Sequence, residues 1–563
     1  MKKKWICLIV SVCMLFSSCG GLVNNGGNNT SSKQSESEES VESENSENSE
    51  NSENSEQSDL VSDSDEDSVE DEDSENSETS GDTETDEDCT HTDADNDGVC
   101  DECYNSVIAT VDLFAINDLH GKFADNDSQP GVDELTTYLK NAKANNDNTF
   151  VFSSGDMWQG CAESNLTKGK IVTDWMSEAG FVSMTLGNHE YDWGSEAVVE
   201  NAELAQFPFL AINVYDRATN QRVSYCEASI MLEQNGVKIG LIGAIGDCYS
   251  SISSDKTEDI YFKTGTQLTA LVKAESEKLR SQGADLIVYS LHDGYEDSTS
   301  GTKAVSASDI SSYYDISLSK GYVDVVFEGH THQNYVLLDS EGVFHLQGGG
   351  DNDGISHAQL YVNTVTDSVE VEKAEYVPTN RYASLQGDPI VTELLEKYDA
   401  EISKASQVLG NNARYRSSTV IRKLVAQLYY EKGMEVWGDE YDIALGGGFI
   451  SVRSPYALEA GQVTYGNLVD ILPFANPIVL CRISGKKLKD KFFETTNSNY
   501  YIHYGAYGEA LKEDINLATS YYVVTDTYTL QYSANGLTEV ARLDETTYAR
   551  DLVAEYIKKG GFA

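Results

Sequence analysis

Basic residues are scarce in this 563-residue chain, where 39 Lys and Arg stand against 94 Asp and Glu for a formal net charge of −55. A deficit of that size argues against binding a nucleic-acid polymer through its phosphates. Proline is also rare, with seven against 44 Gly and 33 Tyr, a composition of globular rather than fibrous chains. The apolar run Trp5–Phe16 is too short to span a bilayer comfortably. Of ten cysteines, Cys7, Cys13 and Cys19 fall in the first nineteen residues. The remaining seven are odd in number and widely spread, which excludes a disulfide framework. Much of the negative charge is local, because Ser31–Asp88 holds twenty-five acidic residues against one Lys. The rest is still acidic, so any chemistry on an anionic substrate needs local positive charge, which metal ions can supply.

What is present begins with an address. Basic Met1–Lys4, the apolar run, and Phe16-Ser17-Ser18-Cys19 read as a secretory signal over residues 1–19. Its end resembles a bacterial lipobox, which makes Cys19 the lipidation candidate. The expected location is the extracellular face of a bacterial cell envelope, lipid-anchored or secreted, with membrane contact only through the anchor. Residues 20–88 form a self-repelling, low-complexity spacer with a Ser-Glu-Asn repeat over Ser43–Glu56. Residues 89–104 differ. Asp93, Asp95, Asp97 and Gly98 are spaced like the start of a calcium loop, although Tyr104 stands at the twelfth place. Cys89, His91, Cys100 and Cys103 could equally hold zinc. A small knob binding Ca or Zn and an unstructured linker end are both open here.

From Ile108 the pattern becomes α/β. Val111–Ile116, Phe150–Ser153, Val182–Leu186, Phe207–Val214, Val237–Ile245, Leu286–Leu291 and Val323–Phe327 read as strands. Val132–Ala144, Lys170–Ala179 and Gln267–Gln282 read as helices between them. The expected layout is a first domain over 107–385, a connecting helix over 386–408 as hinge candidate, and a second domain over 409–563.

Chemistry-bearing residues follow the strands of the first domain. The strand ends carry Asn117-Asp118-Leu119-His120-Gly121, then Gly155-Asp156, Gly187-Asn188-His189-Glu190-Tyr191-Asp192, His292-Asp293-Gly294 and Gly329-His330-Thr331-His332. Five of the nine histidines lie at such ends, where open α/β sheets bind ligands. Imidazole, carboxylate and amide ligands together suit borderline divalent metals. His345, His357 and His503 lie outside these motifs and read as surface or satisfied histidines.

The ordered set Asp-x-His, Gly-Asp, Gly-Asn-His-Glu, His and Gly-His-x-His resembles the calcineurin-like metallophosphoesterases. That resemblance implies a β-sandwich flanked by helices and two divalent metal ions, of which Mn, Zn, Fe and Co are all compatible. It assigns Asp118, His120 and His332 to one ion, Asn188, His292 and His330 to the other, and Asp156 as the bridge. Hydroxide held by the metals would attack phosphorus in line. His189 matches the position of a non-ligand His that stabilises the transition state or protonates the leaving oxygen, with Asp192 orienting it and Glu190 in a structural role.

Residues 409–563 resemble the C-terminal domain of bacterial 5′-nucleotidases, UDP-sugar hydrolases and 2′,3′-cyclic phosphodiesterases, an α+β module. The resemblance rests on Asp442 to Arg453, Ala460 to Gly466 and Leu472 to Asn476. It implies a nucleotide or another small phosphate ester as substrate, with Phe474 and Tyr528 sandwiching the base, Asn476 making a polar contact, and Arg453 and Arg414 holding polar groups. Departures exist: Leu445 replaces an Asn before the Gly-rich turn, two extra residues separate Gly448 from Arg453, and Gln531–Gly536 replaces a Gly-Gly-Asp-Gly-Tyr motif. The readings left open are a 5′-nucleotidase-like hydrolase, a cyclic phosphodiesterase or nucleotide-sugar hydrolase, and a surface interaction protein that has lost catalysis.

Overall fold

The computed structural model describes residues 91–103, 106–124, 131–295, 321–453, 457–495, 499–505, 510–531, 536–544 and 546–563. The leader with Cys19, the acidic spacer and the two ends of the 89–104 motif lie outside the described residues.

In the first domain two six-stranded sheets stack face to face. One has the spatial order Ser368–Pro378, Gly354–Asn363, Ile108–Ile116, Thr149–Ser153, Ser183–Thr185, Phe209–Leu210. The other runs Asn334–Leu338, Phe344–Gly348, Val325–Glu328, Leu286–His292, Val237–Ile245, Ser229–Gln234. The central strands are parallel within each sheet; antiparallel strands close both edges of the second sheet and one edge of the first, whose other edge, Phe209–Leu210, is parallel.

The central strands are buried on both faces, so with a two-residue period they read as near-continuous apolar runs rather than alternating. Val111, Leu113 and Ala115 point into the layer between the sheets, where they meet Ile239, Leu241, Val288, Val325 and Phe327. Phe114 and Ile116, on the other face, pack with the helices Asp133–Asn145 and Lys170–Ala179. The second sheet does the same, with Ile242, Ile287, Tyr289 and Val326 covered by the helix Thr266–Ser281.

The second domain has its own five-stranded sheet, ordered Tyr500–His503, Ile443–Phe449, Ser520–Asp526, Ile478–Ser484, Thr538–Arg542. The helix Ser418–Trp437 lies against it. The glycine run Gly446–Gly448 is therefore a strand interior and not a turn. A Cβ on Gly446 would stand 2.3 Å from the Tyr430 nitrogen and 2.5 Å from the Ala426 carbonyl of that helix. On Gly447 it would meet the Tyr501 carbonyl at 2.1 Å. Only hydrogen side chains allow this approach of helix, strand and neighbouring strand.

Two further expectations need correction. Phe207–Val214 is not one strand: Phe209–Leu210 pairs in the first sheet, whereas the Ile212 N–H donates to the Gly243 carbonyl of the second and Val214–Asp216 pairs with Ile260–Phe262. The chain crosses between layers there, so the run is apolar apart from Asn213 without being one element. The connecting helix is likewise broken. Ile390–Lys397 is helical, Tyr398 leaves helical geometry at φ −101° and ψ 13°, two short turns follow, and Val408–Asn412 is a strand. Tyr398 is held by its hydroxyl, which donates to Asp174 at 2.6 Å, and Ile390, Val391 and Leu394 sit in the first domain's core.

Candidate active site

The parallel strands of both sheets end at one place. Ile108–Ile116, Thr149–Ser153, Ser183–Thr185, Leu286–His292 and Val325–Glu328 deliver Asp118, Asp156, Asn188, His292, and His330 with His332. The loops that follow are forced into unusual backbone. Asp118, His120, Asp156, His330 and His332 have φ of 50°, 51°, 56°, 70° and 55°, in the left-handed region that side chains with a Cβ avoid. Strain concentrated on five neighbouring residues is the mark of a functional site whose surroundings over-determine it.

The carbonyl partners fix two histidine tautomers. Nδ1 of His120 lies 2.8 Å from the Gln159 carbonyl and Nδ1 of His292 lies 2.7 Å from the Ser154 carbonyl. A carbonyl only accepts, so each Nδ1 carries a proton, and in the neutral ring each Nε2 turns a lone pair inward. His120 Nε2 then faces His332 Nε2 at 2.9 Å and Asp118 Oδ1 at 3.7 Å. His292 Nε2 faces Asp156 Oδ2 at 3.1 Å and Asn188 Oδ1 at 3.3 Å. Asp118 Oδ1 is fully buried with no hydrogen-bond partner, 3.4 Å from His332 Nε2. His330 joins through its backbone, whose N–H donates to Asp118 Oδ2 at 2.7 Å, while its ring lies 5.6 Å from that of His292. Clustered lone pairs with an orphaned carboxylate oxygen repel one another unless cations lie among them, and nitrogen with oxygen donors fits borderline divalent ions.

The titration behaviour shows how strongly these groups are coupled. Burial opposes charge on Asp156, yet His292 and His189 hold its carboxyl well below the usual range. Burial would lower His292, but Asp156 carries it up to about 10, so without a cation its Nε2 would hold a proton toward Asp156. His330 is pushed by burial down to about 4.

Beside this cluster stands a second layer. His189 Nδ1 lies 2.9 Å from Asp192 Oδ2, and the His189 N–H donates to Asp156 Oδ1 at 2.8 Å. Burial disfavours a charged His189, but Asp192 and Asp156 together raise its pKa. Glu190 is a backbone clamp: Oε2 accepts from the N–H groups of Asp156 and Gly187 at 2.9 and 2.7 Å, and Oε1 from Met157 at 2.8 Å. That assembly positions the bridging candidate from below.

Residues from the second domain reach the same place. Arg453 Nη2 donates to the Gln159 carbonyl at 3.1 Å and also contacts Gln159 Oε1, next to His120. Arg453 Nε is buried without a partner. The Phe474 ring is 6.2 Å from the His189 ring and 5.9 Å from the Arg453 guanidinium. Asn476 is half-buried near this segment, whereas Tyr528 packs on Phe449 with ring centroids 5.5 Å apart. Arg414 is exposed. His345 and His357 are buried between carboxylates, Glu328 with Asp339 and Asp112 with Glu375, as satisfied core groups.

Three supporting residues escaped sequence reasoning. Asn117 donates to Asp118 Oδ2 at 2.8 Å, and its position directly before Asp118 was a usable signal. Gln159 acts largely through its backbone carbonyl, which no residue type advertises. Cys248 packs with His292 and His330, but its thiol donates to the His292 carbonyl at 2.9 Å, and burial raises its pKa far up.

A sandwich with this cluster at its strand ends defines a metal-dependent phosphoester hydrolase. Residues 112–334 match the calcineurin-like phosphoesterase family and residues 400–506 match the 5′-nucleotidase C-terminal domain. The chain belongs to the two-domain family that joins these modules, whose catalytic module uses divalent metals. Protein UshA of Yersinia enterocolitica is 25% identical over 450 residues, covering 71% of this chain and 78% of its own length. The 5′-nucleotidase of Vibrio vulnificus is also 25% identical, over 66% of this chain and 73% of that one. In fold, the crystal structure of a 5′-nucleotidase precursor from Thermus thermophilus matches 80% of this chain and 97% of its own with a TM-score of 0.61 at 18% identity.

Proposed function

We propose that the protein is an exported phosphoesterase that hydrolyses nucleotides at a pair of divalent metal ions. The observation that carries this reading is the double cluster of inward lone pairs, His120, His332 and Asp118 on one side, and His292, Asn188 and His330 on the other, with Asp156 between them. These residues would hold the ions, which supply positive charge and lower the pKa of a water. Positive charge from that source matters in a chain at −55.

The chain's own groups do the rest. Asp192 accepts the Nδ1 proton of His189, leaving the Nε2 proton of a charged imidazolium free for the leaving oxygen. Arg453, with an unpartnered Nε, presents a donor to an anionic substrate, and the Phe474 face offers a stacking wall for a base. The basic and apolar start of the chain supports export, and Cys19 is the residue that would carry a lipid. Among the described residues no helix is long and apolar enough to cross a membrane.

The test is phosphate release from AMP, ADP, UDP-glucose, 2′,3′-cyclic AMP and a bis-aryl phosphate, with Mn²⁺ or Zn²⁺ present. AMP turnover supports the nucleotidase reading, and a preference for the cyclic or sugar-linked ester redirects the substrate while keeping the chemistry. Asp156→Asn should lower turnover by at least ~10³-fold with unchanged circular dichroism, because the bridge loses its charge. Absence of phosphate from every ester would leave a binding role.

A further inference from the structure

A second set of metal-binding side chains lies away from this site, in residues 91–103. His91, Cys100 and Cys103 bring three ligand atoms within 4.8 Å of one another. Cys103 Sγ is 3.3 Å from His91 Nδ1, and the Cys103 N–H points at Cys100 Sγ at 3.5 Å. Cys100 is fully buried although its neighbours in sequence are exposed. Neither Cys100 nor Cys103 is disulfide-bonded, so no such bond accounts for their approach.

The acidic residues of the loop are occupied otherwise. Asp93 accepts from the N–H groups of Asp97 and Gly98 and from the side-chain amide of Asn363, a residue of the first domain's edge. Asp97 accepts from the Val99 N–H and Asp101 from the Ala94 N–H. A calcium ion wants six to eight oxygens, whereas these carboxylates each accept bonds that shape the loop or dock it. The sulfur and imidazole atoms brought together select a thiophilic cation.

We propose that His91, Cys100 and Cys103 bind one zinc-class ion whose role is structural: it closes the loop into a knob seated on the rim of the first sheet. The seat is specific. The Val107 N–H donates to the Gly98 carbonyl, Thr366 donates to Asn96 Oδ1, and a Cβ on Gly98 would lie 2.7 Å from Ile108 Cγ1. Ile108 begins the strand whose far end carries Asp118, and eight residues of strand separate the two ends by roughly 27 Å. The ion thus anchors the point where the acidic spacer enters the folded domain, remote from the phosphoesterase centre.

Adding cobalt(II) to the metal-stripped full chain tests this. A thiolate-to-cobalt charge-transfer band in the near ultraviolet should appear and vanish in Cys103→Ser and in His91→Ala. It should persist in Cys248→Ser, which separates it from any thiol contribution at the phosphoesterase centre. Zinc content should fall by one equivalent per chain in Cys103→Ser, while phosphate release stays at the parent level. The proposal is overturned by absence of the band, by its loss in Cys248→Ser alone, by a Cys100–Cys103 disulfide in the mass spectrum, or by calcium uptake that leaves both thiols as reactive toward alkylation as in the stripped protein.

Discussion

Asp192 acts on the site through its hydrogen bond to His189 Nδ1. Asp192→Asn keeps the shape but replaces a charged acceptor, so the imidazolium it favours becomes weaker. Turnover should fall about 10- to 100-fold with little change in KM, and the alkaline limb of the pH–rate profile should move to lower pH. An unshifted limb would remove His189 as the group that limits activity at high pH. The sign follows from the raised pKa of His189: the charged form is present below it and is lost as pH rises through it.

Among elements, the glycine strand Ile443–Phe449 makes the firmest prediction. Gly446→Ala drives a methyl into the backbone of helix Ser418–Trp437 and should destabilise the second domain by about 3 kcal/mol. Denaturant midpoints of the two proteins give the value, and coincident curves would refute the packing argument. The same strand shows why some of the fold was legible and some was not. Runs such as Val237–Ile245 coincide with an observed strand, because burial on both faces leaves an uninterrupted apolar signature. Glycine carries no such signature. It permits turns and close approaches alike, so Gly446–Gly448 reads as a turn until the helix above it is known. Phe207–Val214 is apolar for a third reason, passage through the core between two sheets, which hydropathy cannot distinguish from a strand. The residues gathered at the site were legible because each needs a particular chemistry at a strand end. The clamp of Glu190 and the carbonyl of Gln159 were less so, since backbone partners are set by geometry.

At the scale of the whole molecule, one polar contact between the two domains is the Ala162 N–H donating to Asp470 Oδ1 at 2.9 Å. Burial, helped by the charge of Glu163, raises the Asp470 pKa to about 7. An acid raised on folding binds more protons folded than unfolded, so its contribution to stability declines as pH climbs from about 4 to about 7. Asp470→Asn keeps the accepting oxygen and removes that penalty. It should raise Tm relative to the parent at pH 8 and leave the two nearly equal at pH 4; a Tm gain that does not grow with pH would refute the assignment.

The convergence of both sheets on one set of strand ends has a further consequence. Asp118, His120, Asp156 and Asn188 come from one layer, His292, His330 and His332 from the other. On the proposed ligand assignment neither layer alone can assemble either trio, so ion uptake would be all-or-nothing with respect to sandwich closure. A chain with the layers misaligned by a single residue would then carry every proposed ligand and still capture nothing, and bound metal would become a proofreading signal that the two halves of the catalytic module have found their alignment.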